Sequence, residues 1–251
     1  MDHPDAGLSG KTAIVTGGSR GIGKAIALAL AQAGANTVIA ARSEENSPSL
    51  PGTIYQTADE IEKLGGRALP VRCDVTSADE VQKMVEMTVS TYGTVDILVN
   101  NAGVLNGATF LETEISDFSN IWQVNLLGPF LCTRTVLPIM MPKKSGSIVN
   151  ISSGLAQSTH PRNNIYSANK AALNRMMIKL AGEVAGHNIA INLLNPGMIR
   201  SEGQIARRLG AILDTLPPPS VVGPPAVWLA ARDASFTGRI VDARTFGSEW
   251  P

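Results

Sequence analysis

The 251-residue chain is short of charge, of cysteine and of any net sign. Charged residues make up 17% of it, against roughly 25% in an average soluble protein, which argues against a disordered or solvating polymer. Twenty-one basic residues balance 21 acidic ones, so nothing points to a nucleic-acid groove or an anionic membrane surface. Cys73 and Cys132 are too few for a disulfide framework, and no CxxC or Cys/His cluster offers a metal site. A cytoplasmic, reducing setting is the expectation. Residues 1–7 lack a basic region followed by an apolar stretch, the pattern of a targeting leader. The apolar runs fall far short of the roughly 20 residues that span a bilayer, so membrane insertion is not expected. There is no internal repeat, and low complexity is confined to Pro217, Pro218 and Pro219.

What is present is apolar material for a sizeable core, 44% of the residues. It is arranged as short β-branched runs alternating with longer helix-like stretches. Strands are expected at Thr12–Thr16, Thr37–Ala40, Ala68–Val71, Asp96–Asn100, Ser147–Ile151, Ile189–Leu194 and Arg239–Asp242. Helices are expected at Gly21–Ala33, Ala58–Leu64, Ala78–Thr91, Asp117–Met140, Tyr166–Ala185, near Gln204–Leu213 and around Val221–Ala231. Continuous apolar strands separated by helices imply βαβ units and a parallel sheet covered on both faces. The right-handed crossover rule then favours an α/β, doubly wound Rossmann fold with a seven-stranded parallel sheet. No linker-like break divides residues 1–251, so one dinucleotide-binding and catalytic domain is expected. Residues 43–52 are long for a β-to-α connection and read as an exposed flap, with no role as the preferred reading.

The first strand runs into Thr16-Gly17-Gly18-Ser19-Arg20-Gly21-Ile22-Gly23. Such a turn lets backbone approach a pyrophosphate, whose charge meets free N–H groups at the helix N-terminus. Gly18–Lys24 also satisfies GxxxxGK, most of a Walker A loop. Ala25 follows it, however, where that loop needs a hydroxyl to hold Mg²⁺. Tyr166 and Lys170 are one helical turn apart and share a face. A free phenol has a pKa of about 10, and a neighbouring ammonium favours the phenolate, making Tyr166 a usable general acid/base.

These features, taken in order, resemble the short-chain dehydrogenase/reductase family. The TGxxxGxG turn is followed by Asn100-Asn101-Ala102-Gly103, Asn125, Ser153, Tyr166-x3-Lys170 and Pro196-Gly197, from about Leu8 to Asp242. The resemblance implies a catalytic set of Asn125, Ser153, Tyr166 and Lys170. Ser153 would hydrogen-bond the substrate oxygen, with Ser152 the alternative favoured less by its offset. Asn125 would hold a water near Lys170, and Lys170 would also touch the nicotinamide ribose. By position, the cofactor contacts are Gly17, Ser19, Arg20, Gly21, Ile22, Gly23, Ala41, Arg42, Asp74, Val75, Asn101, Ala102, Gly103, Tyr166, Lys170, Pro196, Gly197, Ile199 and Ser201. Asp74 and Val75 would hold the adenine, and Ile199 the carboxamide. Ser201 stands where the family often has threonine. His160 reads as a surface histidine.

The implied activity is exchange of a hydride between a nicotinamide cofactor and a ketone, aldehyde or secondary alcohol. NADP(H) is expected over NAD(H): Ala41 replaces the acidic residue usual in NAD-specific relatives, and Arg20 and Arg42 suit a 2′-phosphate. Ala41-Arg42-Ser43 and Pro51-Gly52-Thr53-Ile54-Tyr55 look like the hydroxysteroid-dehydrogenase-like subgroup, without room for the sterol-carrier domain some members append. Leu105, Leu155, Met198 and a lid over residues 202–219 are expected to shape an apolar substrate pocket. Two rivals remain. One is a 3-oxoacyl thioester reductase using Lys143, Lys144 and His187 for a carrier's phosphopantetheine, and the other a non-catalytic dinucleotide-binding module. A homotetramer or homodimer is expected through the helices at Asp117–Met140 and Tyr166–Ala185. The latter's Ala171, Ala172, Met176, Met177, Leu180 and Val184 are more apolar than one sheet face needs.

Overall fold

The computed structural model describes residues 7–159, 161–202 and 210–250. His160 and most of the expected helix near Gln204–Leu213 lie outside the described residues, as does much of the expected lid. Seven strands form one parallel sheet in the order β3-β2-β1-β4-β5-β6-β7. They are β1 (Thr12–Thr16), β2 (Asn36–Ala41), β3 (Arg67–Arg72), β4 (Ile97–Asn100), β5 (Gly146–Ile151), β6 (Ile189–Asn195) and β7 (Ile240–Asp242). All six pairings are parallel. The chain therefore winds outward from β1 in one direction and then from β4 in the other, the expected doubly wound arrangement.

Alternate residues of each central strand serve opposite cores. Ala13 and Val15 of β1 join Val99 and Val149 on one face, under α1 (Gly21–Gln32), α2 (Ile54–Lys63) and α7 (Gly223–Ala230). Ile14, Leu98, Ile148 and Ile191 face the other way. They pack under α3 (Ala78–Tyr92), the α4 (Ile115–Trp122) to α5 (Gly128–Lys143) rod, and α6 (Asn164–Val184).

Two elements differ instructively from expectation. Helix α2 starts at Ile54, not Ala58, because Thr53 and Gln56 form a capping box. Its two bonds measure 3.0 Å and 3.2 Å. The expected helix at Asp117–Met140 runs from Ile115 to Lys143 and carries a π-turn at Gln123–Leu127. That rod is long and apolar enough to cross a membrane, unlike any uninterrupted apolar run, but half of its most apolar window is buried inside the fold.

Three buried asparagines tie the sheet together. Asn100 donates to Asn150 Oδ1 (2.9 Å) and Thr133 Oγ1 (3.1 Å), and Asn150 donates to the Asn192 carbonyl (3.2 Å). Each would be costly to bury alone. Together they tie β4 to β5 and β5 to β6 beneath the cleft.

Candidate active site

Where the winding reverses, between β1 and β4, the carboxyl ends of the strands leave a cleft of about 930 Å³. Every expected site residue except Asn125 lines it.

The glycine turn forms its floor. Asn101 Nδ2 donates to the carbonyls of Thr16 (2.9 Å) and Gly17 (3.2 Å). In return, Thr16 Oγ1 accepts from the N–H groups of Asn101 (3.0 Å) and Ala102 (3.1 Å). The packing leaves no space at Gly23, where a Cβ would lie 2.2 Å from the Gly17 carbonyl oxygen. Helix α1 then begins without a side-chain cap and without an acidic residue in its first turn. Its free N–H groups and positive end suit a pyrophosphate. Lys24, which a Walker A loop would aim at phosphate, instead pairs with Glu60 on α2 at 2.7 Å.

At the expected adenosine end, Ala41 closes β2 and Arg42 Nη1 lies 3.6 Å from Asp74 Oδ2. Burial raises the Asp74 carboxyl, but bonds from the Thr76 N–H and hydroxyl, with Arg42 nearby, outweigh it and hold the group below the usual carboxylate range. Arg20 is turned toward the 43–52 loop: it donates to the carbonyls of Pro51 (3.0 Å) and Gly52 (2.7 Å) and to Ser43 Oγ (2.8 Å). The loop is exposed over residues 44–49, as its composition suggested, and Arg20 ties it to the glycine turn.

The opposite end holds the ionisable chemistry. Lys170 is buried and donates to the Ile151 carbonyl at 2.7 Å. Desolvation pulls its pKa down to about 8. Its Nζ lies 5.7 Å from the centre of the Tyr166 ring. The structure separates the two serines. Ser152 is buried and donates to Asn174 Oδ1 at 2.6 Å, whereas Ser153 is half-buried and its Oγ accepts from the Leu155 N–H (3.2 Å). Asn125 is buried and does not line the cleft. Its side-chain amide is engaged on both sides by Val104, donating to the carbonyl and accepting from the N–H, each at 2.8 Å. It pins the strand-exit loop, and Gly103 is the neighbour small enough to pass it.

Pro196 and Gly197 follow β6 in a turn held by residues not singled out from the sequence. Asn195 accepts from the Gly197 N–H (3.2 Å) and donates to Asp242 (2.8 Å), whose carboxylate also receives Arg244 through two bonds of 2.9 and 2.6 Å. A carboxylate at the end of the last strand and a guanidinium two residues on were the available signal. Glu202, the first residue of the expected lid, sits at the glycine turn. Its Oε2 is buried without a hydrogen-bond partner and would lie 3.4 Å from a Cβ on Gly21, beside the start of α1.

The sequence profile of the short chain dehydrogenase family matches residues 11–210. The chain belongs to that family. Its members are oxidoreductases that use nicotinamide cofactors. The chain is 38% identical over 194 residues to a 3-oxoacyl-[acyl-carrier-protein] reductase of Thermotoga maritima, covering 77% of this short-chain dehydrogenase and 76% of that protein. It is 36% identical over 242 residues to a hydroxysteroid dehydrogenase-like protein 2 of Xenopus tropicalis, covering 95% of this chain but 58% of the relative. This short-chain dehydrogenase thus spans little over half the length of that relative. Among solved structures, a Beutenbergia cavernae protein with NADP bound at low occupancy superposes with a TM-score of 0.85 at 29% identity, over 96% of this chain and 97% of the other.

Proposed function

We propose that this short-chain dehydrogenase is an NADP-dependent reductase of ketones or aldehydes, working also on the corresponding secondary alcohols. One observation carries the reading: Lys170, Tyr166 and Ser153 line the same cleft as the glycine turn and the uncapped start of α1. The glycine turn, Asn101 and α1 hold the pyrophosphate, while the Pro196–Gly197 turn walls the nicotinamide. When bound, the dinucleotide supplies or accepts the hydride. The chain itself manages the proton. Ser153 Oγ donates to the substrate oxygen and Tyr166 delivers or removes the proton there. Lys170, a cation near the phenol, favours the phenolate and makes the transfer easier at neutral pH. With the Asn125 side-chain amide engaged by Val104, a relay water at this position would be held by backbone rather than by that amide.

The absence of a carboxylate at Ala41, with Arg42 beside it, supports NADP(H) over NAD(H). Leu105, Leu155 and Met198 line the cleft and favour a small apolar substrate. The thioester alternative is weaker. Lys144 and His187 precede β5 and β6, and Lys143 is engaged by Thr94, Val95 and Asp96, so all three sit at the amino-terminal ends of the strands, opposite the cleft. For assembly we favour a homotetramer. In α6, Met177 and Val184 are buried within the subunit, but Phe118, Trp122 and Phe130 on the α4–α5 rod are exposed. Light scattering that returned a monomer at micromolar concentration would contradict it. Localisation in the cytoplasm remains part of the same reading.

The test is NADPH consumption across ketones, aldehydes, quinones and an acetoacetyl thioester. Turnover on a simple carbonyl is expected. Activity confined to the thioester would favour the alternative, and none on any panel member would contradict the reading.

A further inference from the structure

We propose that Arg244 is a specificity-determining residue that binds a carboxylate on the substrate, so the preferred substrates are oxo acids with an apolar body. The inference rests on the reductase reading above and deepens it by naming a substrate class.

The strand order sorts the charges of the cleft. Asp74, Arg42 and the glycine turn follow β3, β2 and β1, on the side expected to hold adenosine and pyrophosphate. Ser153 follows β5 and the Pro196–Gly197 turn follows β6. Arg244 lies two residues past β7, the edge strand beyond both. Neighbouring strands are about 4.8 Å apart, so the end of β7 lies about 10 Å across the sheet from the end of β5. The two ends are linked through β6. A Cβ on Gly154, next to Ser153, would lie 3.5 Å from Asn195 Nδ2, which donates to Asp242 Oδ2 at 2.8 Å. Among the described residues, the other cations lining the cleft are Arg20, engaged by the 43–52 loop, Arg42 at the adenosine end, and Lys170, buried against the Ile151 carbonyl. Arg244 is the cation of the substrate end, and its side chain is 69% exposed.

A guanidinium offers planar forks at its side, through Nε and Nη2, and at its end, through Nη1 and Nη2. Asp242 occupies the side fork: Oδ1 accepts from Nε at 2.9 Å and Oδ2 from Nη2 at 2.6 Å. The end fork has no partner among the described residues. The group is also held in place. Arg244 N–H donates to Asp242 Oδ1 at 2.9 Å, and the stem packs on Gly197, where a Cβ would lie 3.1 Å from Arg244 Cδ. Asp242 in turn is fixed by Asn195. The open fork is therefore pre-aimed, and a ligand need not immobilise a swinging side chain. One guanidinium whose charge is partly balanced by Asp242 suits a planar, singly charged carboxylate better than a doubly charged phosphate. Leu105, Leu155 and Met198 line the same cleft and would cover the apolar body.

The test is steady-state kinetics with NADPH on oxo acids of increasing carbonyl-to-carboxylate spacing, each paired with its methyl ester. At the fitting spacing, the unmodified protein should favour acid over ester by at least about tenfold in kcat/KM, chiefly through KM. Added salt should shrink that preference. Arg244→Gln keeps an N–H for Asp242 and a stem on Gly197 but removes the charge and the fork. It should lower the acid-to-ester ratio by at least about tenfold, and Arg244→Ala should do the same. Loosening of the Gly197 turn would slow acid and ester alike, so the ratio isolates the carboxylate contact. Equal or faster reduction of the esters by the unmodified protein at every spacing would overturn the proposal. An acid-to-ester ratio unchanged in both variants would overturn it too, leaving Arg244 a support for the turn. No turnover on acids, esters or the neutral carbonyl panel would instead remove the reductase reading beneath it.

Discussion

The two ends of the cleft are built by different means. At the catalytic end, Lys170 is buried on a long helix and bonded to a strand carbonyl, while Ser152 and Asn174 pack beneath it. At the adenosine end, Arg20, Arg42 and Asp74 sit on turns and loops and remain partly open to water. Burial makes one lysine's charge sensitive and its position exact. Exposure makes the arginines' contributions modest and exchangeable. Chemistry should therefore be hard to alter here without large losses, and cofactor choice easy.

The largest contrast should come from Lys170. Lys170→Met removes the charge proposed to favour the phenolate and the expected ribose contact, so turnover should fall by about 10²-fold or more and NADPH affinity should fall with it. Burial places the folded pKa near 8, below the ordinary lysine value, so between the two the unfolded chain holds the extra proton. Lys170's own term therefore opposes folding below about pH 8, and its contribution to stability grows as pH rises toward the ordinary lysine range. For binding the sense is opposite. If NADPH needs the ammonium, affinity should weaken above about pH 8, by at most about tenfold per pH unit. Titrations at several pH values check this, and a slope equally steep in Lys170→Met would break the comparison.

A middle effect is expected at the exposed end. Ala41→Asp places a carboxylate where a 2′-phosphate would lie and where a ribose diol could be bound. It should shift the ratio of NADPH to NADH catalytic efficiency by roughly tenfold toward NADH, while turnover with the preferred cofactor stays within about threefold. Steady-state kinetics with both cofactors would show it. The smallest effect concerns Glu202. Its unpartnered carboxylate oxygen lies beside the start of α1, where a pyrophosphate is expected. Glu202→Gln should tighten NADPH by roughly three- to tenfold at low salt, with a smaller gain at high salt. Unchanged affinity at both salt concentrations would remove that competition.

Much of the fold was legible because its signals are local. Runs of four to six residues between helical stretches mark buried parallel strands, and all seven appeared within a residue or so of their places. The start of α2 was missed although Thr53-x-x-Gln56 announces it, because the apolar period was read from Ala58. The π-turn at Gln123–Leu127 has no comparable signal: an inserted residue shifts hydrogen bonds without disturbing composition. At the site, motif order identified the lining residues. What they bond to depends on distant chain. The Arg20 clamp joins residues 31 and 32 positions apart, and the Asn195–Asp242 bond spans 47. Such partners follow from topology and loop closure, which spacing along the chain does not encode. The same limit applied to Asn125, whose side chain is engaged by Val104.

The most direct measurement is single-turnover hydride transfer by stopped flow, comparing the unmodified protein with Tyr166→Phe on a carbonyl substrate found by screening. The substitution removes one hydroxyl beside a buried cation and should leave melting temperature and NADPH affinity nearly unchanged. The rate is predicted to fall by about 10²–10⁴-fold, the ordinary contribution of a positioned acid or base. A Tyr166→Phe protein retaining more than about a tenth of the rate would contradict Tyr166 as the proton donor.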